Sequence, residues 1–203
     1  MLKKWLIVIV LLVSTSGCSD KQPAIKALSD NAVVLAFGDS LTAGTGVNKE
    51  NSYPSVLARM IDRMVINAGV PGEVSREGFR RLPGLLDKYQ PELVIISHGG
   101  NDLIRKLDAE KLVQNISAMI RAARNRGISV ILLGIPRPGI FLSSVEFYNK
   151  LALDYNIPIE NEILADILSD SSLKSDAIHP NIEGYRLMAD SIFLLMKQTG
   201  AIE

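Results

Sequence analysis

The sequence predicts an α/β protein, a three-layer α/β/α sandwich on a parallel sheet of about five strands. Three observations predict it. Short runs such as Val33–Phe37, Leu93–Ser97 and Ile128–Leu133 are apolar almost throughout, the pattern of strands covered on both faces. Segments of helical period lie between them and supply the crossovers that parallel strands require. Loops rich in Gly, Asn and Asp follow the strands, at the edge where such sheets bind ligands.

Each element follows from its local pattern. Val33–Phe37 is a buried strand that ends at Gly38. Tyr53 to Arg63 reads as a helix. Met64-Val65-Ile66 is a second short strand, stopped by Asn67 and Gly69. Ser75 to Tyr89 is helical in pattern, with Pro83 and Gly84 interrupting it. Leu93–Ser97 is the third strand. Ala109 to Arg126 is the clearest helix: Leu112, Val113, Ile116, Met119, Ile120 and Ala123 form one apolar stripe, and Gly127 ends it. Ile128 to Leu133 is the fourth strand and Val145 to Tyr155 the next helix. Ile157-Pro158-Ile159 is a minimal fifth strand. The last helix runs from about Ile182 to Lys197, with Tyr185, Met188, Ala189, Ile192 and Leu195 facing inward.

Length and composition bound the function. The 203 residues suit one domain, here 32–203, with a full core. Lys+Arg and Asp+Glu balance at 22 each, which argues against a protein that wraps nucleic acid through bulk charge. One Cys excludes a disulfide framework, and two His without ligand spacing exclude a His-cluster metal site. No metal and no cofactor are expected.

The N-terminus reads as a targeting segment. Lys3 and Lys4 precede the apolar run Trp5–Val13, which is too short for a spanning anchor, and Ser14-Thr15-Ser16-Gly17-Cys18 follows. This order resembles a bacterial lipoprotein signal over residues 1–17, in which Cys18 becomes the first mature residue and carries lipid. Residues 18–31 are then a tether. Cleavage leaves 20 basic against 22 acidic residues, a net charge of −2. The expected location is the bacterial cell envelope, anchored by lipid and facing the periplasm.

Four loops carry residues suited to chemistry. Gly38-Asp39-Ser40-Leu41 follows the first strand. A Ser there stands exposed at the mouth of the sheet, and its own N–H can stabilise an oxyanion. The same loop also fits a plain turn with a helix cap. Asp176-Ala177-Ile178-His179-Pro180 precedes the last helix. An Asp three residues ahead of a His can accept its ring N–H and leave the other nitrogen free as a base; blandly, the two are a turn residue and an exposed loop residue. In His98-Gly99-Gly100-Asn101-Asp102, Asn101 can donate its amide into the crevice. In Asn67 through Glu73, Gly72 can present an unobstructed N–H, as can Gly69. His98 is the rival base, and it also stands at a strand end. Together these loops hold a nucleophile, oxyanion donors and an acid–base pair, the parts of an acyl-transfer site.

On these four blocks, in this order, the chain resembles the SGNH (GDSL) hydrolases, in particular the bacterial periplasmic thioesterase, lysophospholipase and arylesterase group. The resemblance covers Val33 to the last helix. It implies Ser40 as nucleophile, His179 as base and Asp176 as its orienting acid, with an oxyanion hole from Ser40, Gly72 and Asn101. It also implies the flavodoxin-like strand order 2-1-3-4-5.

The expected function is hydrolysis of acyl esters or thioesters through an acyl-enzyme, on small-molecule or lipid substrates of medium-chain acyl, aryl ester or lysophospholipid type. The same site also suits deacetylation of an envelope polysaccharide or acyl transfer, and the fold alone also suits a lipid-anchored binding protein. The loop after the fourth strand carries Ile140, Phe141 and Leu142 beside two Pro and two Gly. These three side chains are expected to wall an acyl groove next to Ser40.

Overall fold

The structure is a computed structural model that describes residues 22–137 and 145–203. The sheet strands are β1 (Val33–Gly38), β2 (Met64–Gly69), β3 (Leu93–Ser97), β4 (Ser129–Leu133) and β5 (Ile159–Glu160). All pairings are parallel, and the spatial order is β2-β1-β3-β4-β5. This is the order that the family resemblance implied. β1 and β3 lie side by side at the centre, with Phe37 opposite Ile96, and both are buried along nearly their whole length.

The helices are α1 (Ser40–Ala43), α2 (Tyr53–Ile61), α3 (Ser75–Tyr89), α4 (Gly100–Ile104), α5 (Ala109–Arg124), α6 (Glu146–Tyr155), α7 (Ile163–Ser169) and α8 (Ile182–Gln198). The stripe on α5 is buried at Leu112, Ile116, Met119, Ile120 and Ala123. Asp108 caps α5 by accepting the amides of Glu110 and Lys111. The inward face of α8 is buried at Tyr185, Met188, Ala189, Ile192 and Leu195. No helix among the described residues is long and apolar enough to cross a membrane.

Four sequence expectations are corrected. β2 does not stop at Ile66; it runs through Asn67 and Ala68 to Gly69, because it pairs with β1 along its full length. α3 is unbroken over Pro83 and Gly84. An interior Pro costs about 3 kcal/mol, and the complete burial of Leu82 and Leu86 on the same helix offsets it at about 1.5–3 kcal/mol each. α1 and α4 stand where the sequence predicts loops, and α7 falls in a stretch to which its pattern assigns no element. They are short, and tertiary packing rather than periodicity sets them; α7 buries only Leu164 and Ile167.

The fourth correction concerns the tether. From Gln22 onward the chain lies on the domain. The amides of Ile25 and Leu28 donate to the carbonyls of Thr199 (2.8 Å) and Ala201 (2.9 Å), and both side chains are buried. Gln22 accepts from the Ile159 amide at 3.1 Å, and Ser29 is hydrogen-bonded to Glu92. Two apolar residues three apart suffice to seat this strap over the C-terminal residues, although its polar composition reads as linker. Cys18 and the 1–17 signal lie outside the described residues.

Candidate active site

The loops that leave the carboxyl ends of β1, β2 and β3 meet the segment 174–181 that leads into α8. The end of β1 runs so close to β3 that a Cβ on Gly38 would lie 2.2 Å from the Ser97 carbonyl oxygen. Only glycine fits there. The chain then turns at once into α1, where the Asp39 carboxylate accepts the Leu41 amide at 3.1 Å and Ser40 opens the helix. A first helical residue has no intrahelical acceptor for its N–H, so the Ser40 amide is left to face a ligand.

His179 is held from two sides. Asp176 Oδ1 accepts the amides of Ile178 and His179, both at 2.9 Å, which folds the loop into a tight turn. Leu173 and Asn181 close its base, the Asn181 amide donating to the Leu173 carbonyl at 2.8 Å. His179 Nδ1 then donates to Asp176 Oδ2 at 2.7 Å, and Nε2 stands 2.9 Å from Ser40 Oγ. With Nδ1 carrying the proton, Nε2 is the acceptor for the Ser40 hydroxyl. Burial pushes the Asp176 carboxyl upward, but the hydrogen bonds from the His179 ring and the two amides outweigh it and hold it below its ordinary value. It is therefore ionised at neutral pH.

The Asn101 amide nitrogen lies beside this line. It donates to Asp39 Oδ2 at 3.2 Å and to the Glu73 carbonyl at 3.1 Å. Both hydrogens are thus engaged, and an incoming oxyanion has to share one of them. Burial raises the Asp39 carboxyl against the opposing pull of His98, the Leu41 amide, His179 and Asn101.

The two glycines of the second loop separate cleanly. Gly69 donates its N–H to Asn67 Oδ1 at 3.0 Å, and a Cβ there would lie 2.1 Å from the Ala43 nitrogen, so it is a packing glycine. Gly72 has φ +79°, a conformation that favours glycine. Its carbonyl accepts from Arg105 at 2.9 Å, and among the described residues its N–H has no acceptor.

His98 is not placed to compete with His179. It is wholly buried, and Nε2 donates to Glu73 Oε2 at 2.9 Å. Asp102, its neighbour in the third loop, accepts from the amide and hydroxyl of Ser75 at 2.8 and 2.7 Å, which ties α4 to the start of α3.

A cleft of about 210 Å³ opens beside Ser40 and Asn101, walled by Leu41, Ile104, Ile135, Leu168 and Ile178, with Lys174 at its side. Ile140, Phe141 and Leu142 lie outside the described residues. The walls at Ile104, Leu168 and Ile178 went unread in the sequence. A large apolar residue between Asp176 and His179 is the signal for Ile178. Lys174 donates to the Leu168 carbonyl at 2.9 Å.

The Glu73 carboxylate, missed from sequence, is also paired with Arg81 at 2.6 and 2.7 Å. Burial would raise it, but the hydrogen bonds from His98 and Arg81 prevail and lower it. Glu73→Gln is therefore expected to cost about 3 kcal/mol at pH 7, as breaking a buried pair does. A lowered folded value places this contribution above the unfolded carboxyl's value of about 4.3 and removes it as pH falls through the folded one. Urea unfolding of parent and variant at pH 7 and pH 3 should show the gap narrowing; an equal gap at both would contradict it.

Comparison with known proteins places the chain among ester hydrolases in sequence and fold. The sequence profile of the GDSL-like Lipase/Acylhydrolase family matches residues 36–187. The chain is 31% identical over 170 residues to an arylesterase of Vibrio mimicus, covering 78% of this chain and 85% of the relative. It is 29% identical over 201 residues to esterase TesA of Pseudomonas aeruginosa, covering 90% and 96%. The psychrotrophic esterase EstA from Pseudoalteromonas, solved with monoethylphosphonate as inhibitor, superposes with a TM-score of 0.74 at 26% identity, over 83% of this chain and 98% of its own. AlinE4, an SGNH-hydrolase family esterase, superposes with a TM-score of 0.65 at 29% identity, over 85% and 98%. The chain belongs to the GDSL-like lipase/acylhydrolase family.

Proposed function

We infer that this protein is a serine carboxylic ester hydrolase that works through an acyl-enzyme. The observation that carries the reading is the hydrogen-bonded line from Ser40 Oγ through His179 to Asp176, set beside donors from three different loops. Ser40 Oγ attacks the acyl carbonyl carbon as His179 Nε2 takes its proton. Asp176 fixes the ring and stabilises the imidazolium. The N–H groups of Ser40 and Gly72 and the amide of Asn101 receive the oxyanion. His179 returns the proton to the leaving alcohol or thiol. A water molecule, deprotonated by His179, then attacks the acyl-enzyme and releases the acid. Activity on 4-nitrophenyl esters and acyl thioesters, lost in the Ser40 and His179 variants, tests this reading directly.

The apolar walls of the cleft favour medium-chain acyl groups over acetyl. Each buried methylene contributes about 0.8 kcal/mol, so kcat/KM should climb by up to about fourfold per carbon until the cleft is full. Ile104→Ser, at the rim, should flatten that slope while acetyl hydrolysis persists. If acetyl esters are the best substrates of the parent enzyme, the acyl-groove assignment fails and deacetylation takes its place.

The charge–apolar–small–Cys order of residues 3–18 supports export and lipid anchoring at Cys18, which would set the enzyme on a membrane facing the periplasm, near lipid acyl esters. Metabolic labelling with an alkynyl fatty acid should tag the full chain expressed in a bacterium, and Cys18→Ser should abolish the tag. Equal labelling of both would contradict anchoring at this residue.

A further inference from the structure

A charged cluster lies outside the cleft lining, with Glu73 and His98 buried and Arg81 half-buried. Arg81 projects from α3 across the ends of two strands. Its Nε donates to Glu73 Oε1 at 2.6 Å, and the two hydrogens of Nη2 serve Glu73 Oε2 at 2.7 Å and the Ala68 carbonyl at 2.8 Å, with the Gly38 carbonyl sharing one of them at 3.2 Å. The guanidinium also lies over the Phe37 ring, 4.3 Å from its centre. His98 Nε2 donates to Oε2 of the same carboxylate, which it shares with Arg81 Nη2. It reaches that place because Gly78 of α3 has no side chain; a Cβ there would lie 2.3 Å from Nε2.

These acceptors share one property. Ala68, near the end of β2, and Glu73, just ahead of α3, flank the turn that presents Gly72. Gly38 precedes Asp39 and Ser40. The Glu73 carbonyl is what orients the Asn101 amide, at 3.1 Å. One planar guanidinium therefore spans the bases of all three oxyanion donors. The Nε and Nη2 hydrogens of a rigid planar fork suit that task, whereas an ammonium on a flexible stem does not match the paired carboxylate and carbonyl points at once.

We propose that Arg81, with Glu73 and His98 as its buried counterpart, is the positioning residue of the oxyanion hole, locking the Gly72 loop and the Asn101 amide in register with Ser40. This rests on the serine-hydrolase reading above. Arg81 touches no substrate and acts through the groups it holds. A donor displaced by a fraction of an ångström loses strength mainly where charge develops, in the transition state, so the cost falls on kcat and not on KM.

The experiment compares the parent enzyme, Arg81→Lys, Arg81→Met, Asn101→Ala and the Arg81→Met/Asn101→Ala double variant on one 4-nitrophenyl ester. Assays run well below each variant's unfolding temperature, checked by circular dichroism. Arg81→Lys keeps a cation beside Glu73 and Phe37 and is the variant chosen to retain the fold. It should lose about tenfold in kcat with KM within twofold, and Arg81→Met about 30- to 100-fold, a fraction of what deleting an oxyanion donor costs. Residues acting through one unit are non-additive, so in the Asn101→Ala background the Arg81→Met loss should shrink at least about threefold. Full kcat in a folded Arg81→Lys, a loss confined to KM, or a double variant at the full product of the single losses would each overturn the proposal. Ser40→Ala run in parallel separates the two readings. If Ser40→Ala stays active, the serine mechanism itself fails; if it is inactive while Arg81→Lys is unimpaired, only the positioning role fails.

Discussion

Ser40→Ala should abolish ester hydrolysis while leaving the fold intact, and His179→Ala should lower kcat by at least about 10³-fold, as removal of a triad member does. Among the described residues the Ser40 hydroxyl has one side-chain partner, His179 Nε2 at 2.9 Å, and alanine keeps the β-carbon while removing only that hydroxyl. Loss of the imidazole removes both the acceptor for the serine proton and the donor to the leaving group. His98 offers no substitute, because it is buried against Glu73. Steady-state rates for Ser40→Ala, His179→Ala and His98→Gln decide this. A His98 variant that is inactive while folded, beside a His179 variant that remains active, would reverse the assignment.

Asn101→Ala should reduce kcat by about 10²–10³-fold and leave KM nearly unchanged, since an oxyanion donor is strongest in the transition state. The same substitution leaves Asp39 Oδ2 and the Glu73 carbonyl short of a donor. A buried acceptor without its partner costs about 1–3 kcal/mol, so the variant should also unfold at lower urea concentration. The two effects are separable by measuring rates in the fully folded range. A variant that raises KM alone would make Asn101 a group that binds ground-state substrate.

The sheet was legible because β1, β3 and β4 are apolar on both faces, and α5 and α8 because each carries a single apolar stripe. The order of the strands was not in any pattern of single residues; it came from the family resemblance. The site was legible as four loops, since Ser40, Gly72 and Asn101 follow strand ends and Asp176 and His179 stand three apart in the loop before α8. The rest escaped for physical reasons. α4 and α7 are too short for periodicity to register. The strap at Ile25 and Leu28 is only two apolar residues in a polar stretch, and its partners lie at the other end of the chain. Arg81 and Glu73 read as ordinary charges on a helix and its approach. Their pairing with His98 depends on Gly78, whose missing side chain makes room for the imidazole, and that is a property of three segments in contact.

The central claim is that Ser40 is a nucleophile activated by His179. A fluorophosphonate probe measures this most directly, because it bonds covalently only to an activated serine and leaves a mass on one peptide. Mass spectrometry of the labelled parent protein should place the adduct on Ser40, with the rate of labelling falling by orders of magnitude in His179→Ala and in Asn101→Ala. An adduct on another residue, or labelling of Ser40 at an unchanged rate without His179, would contradict the account.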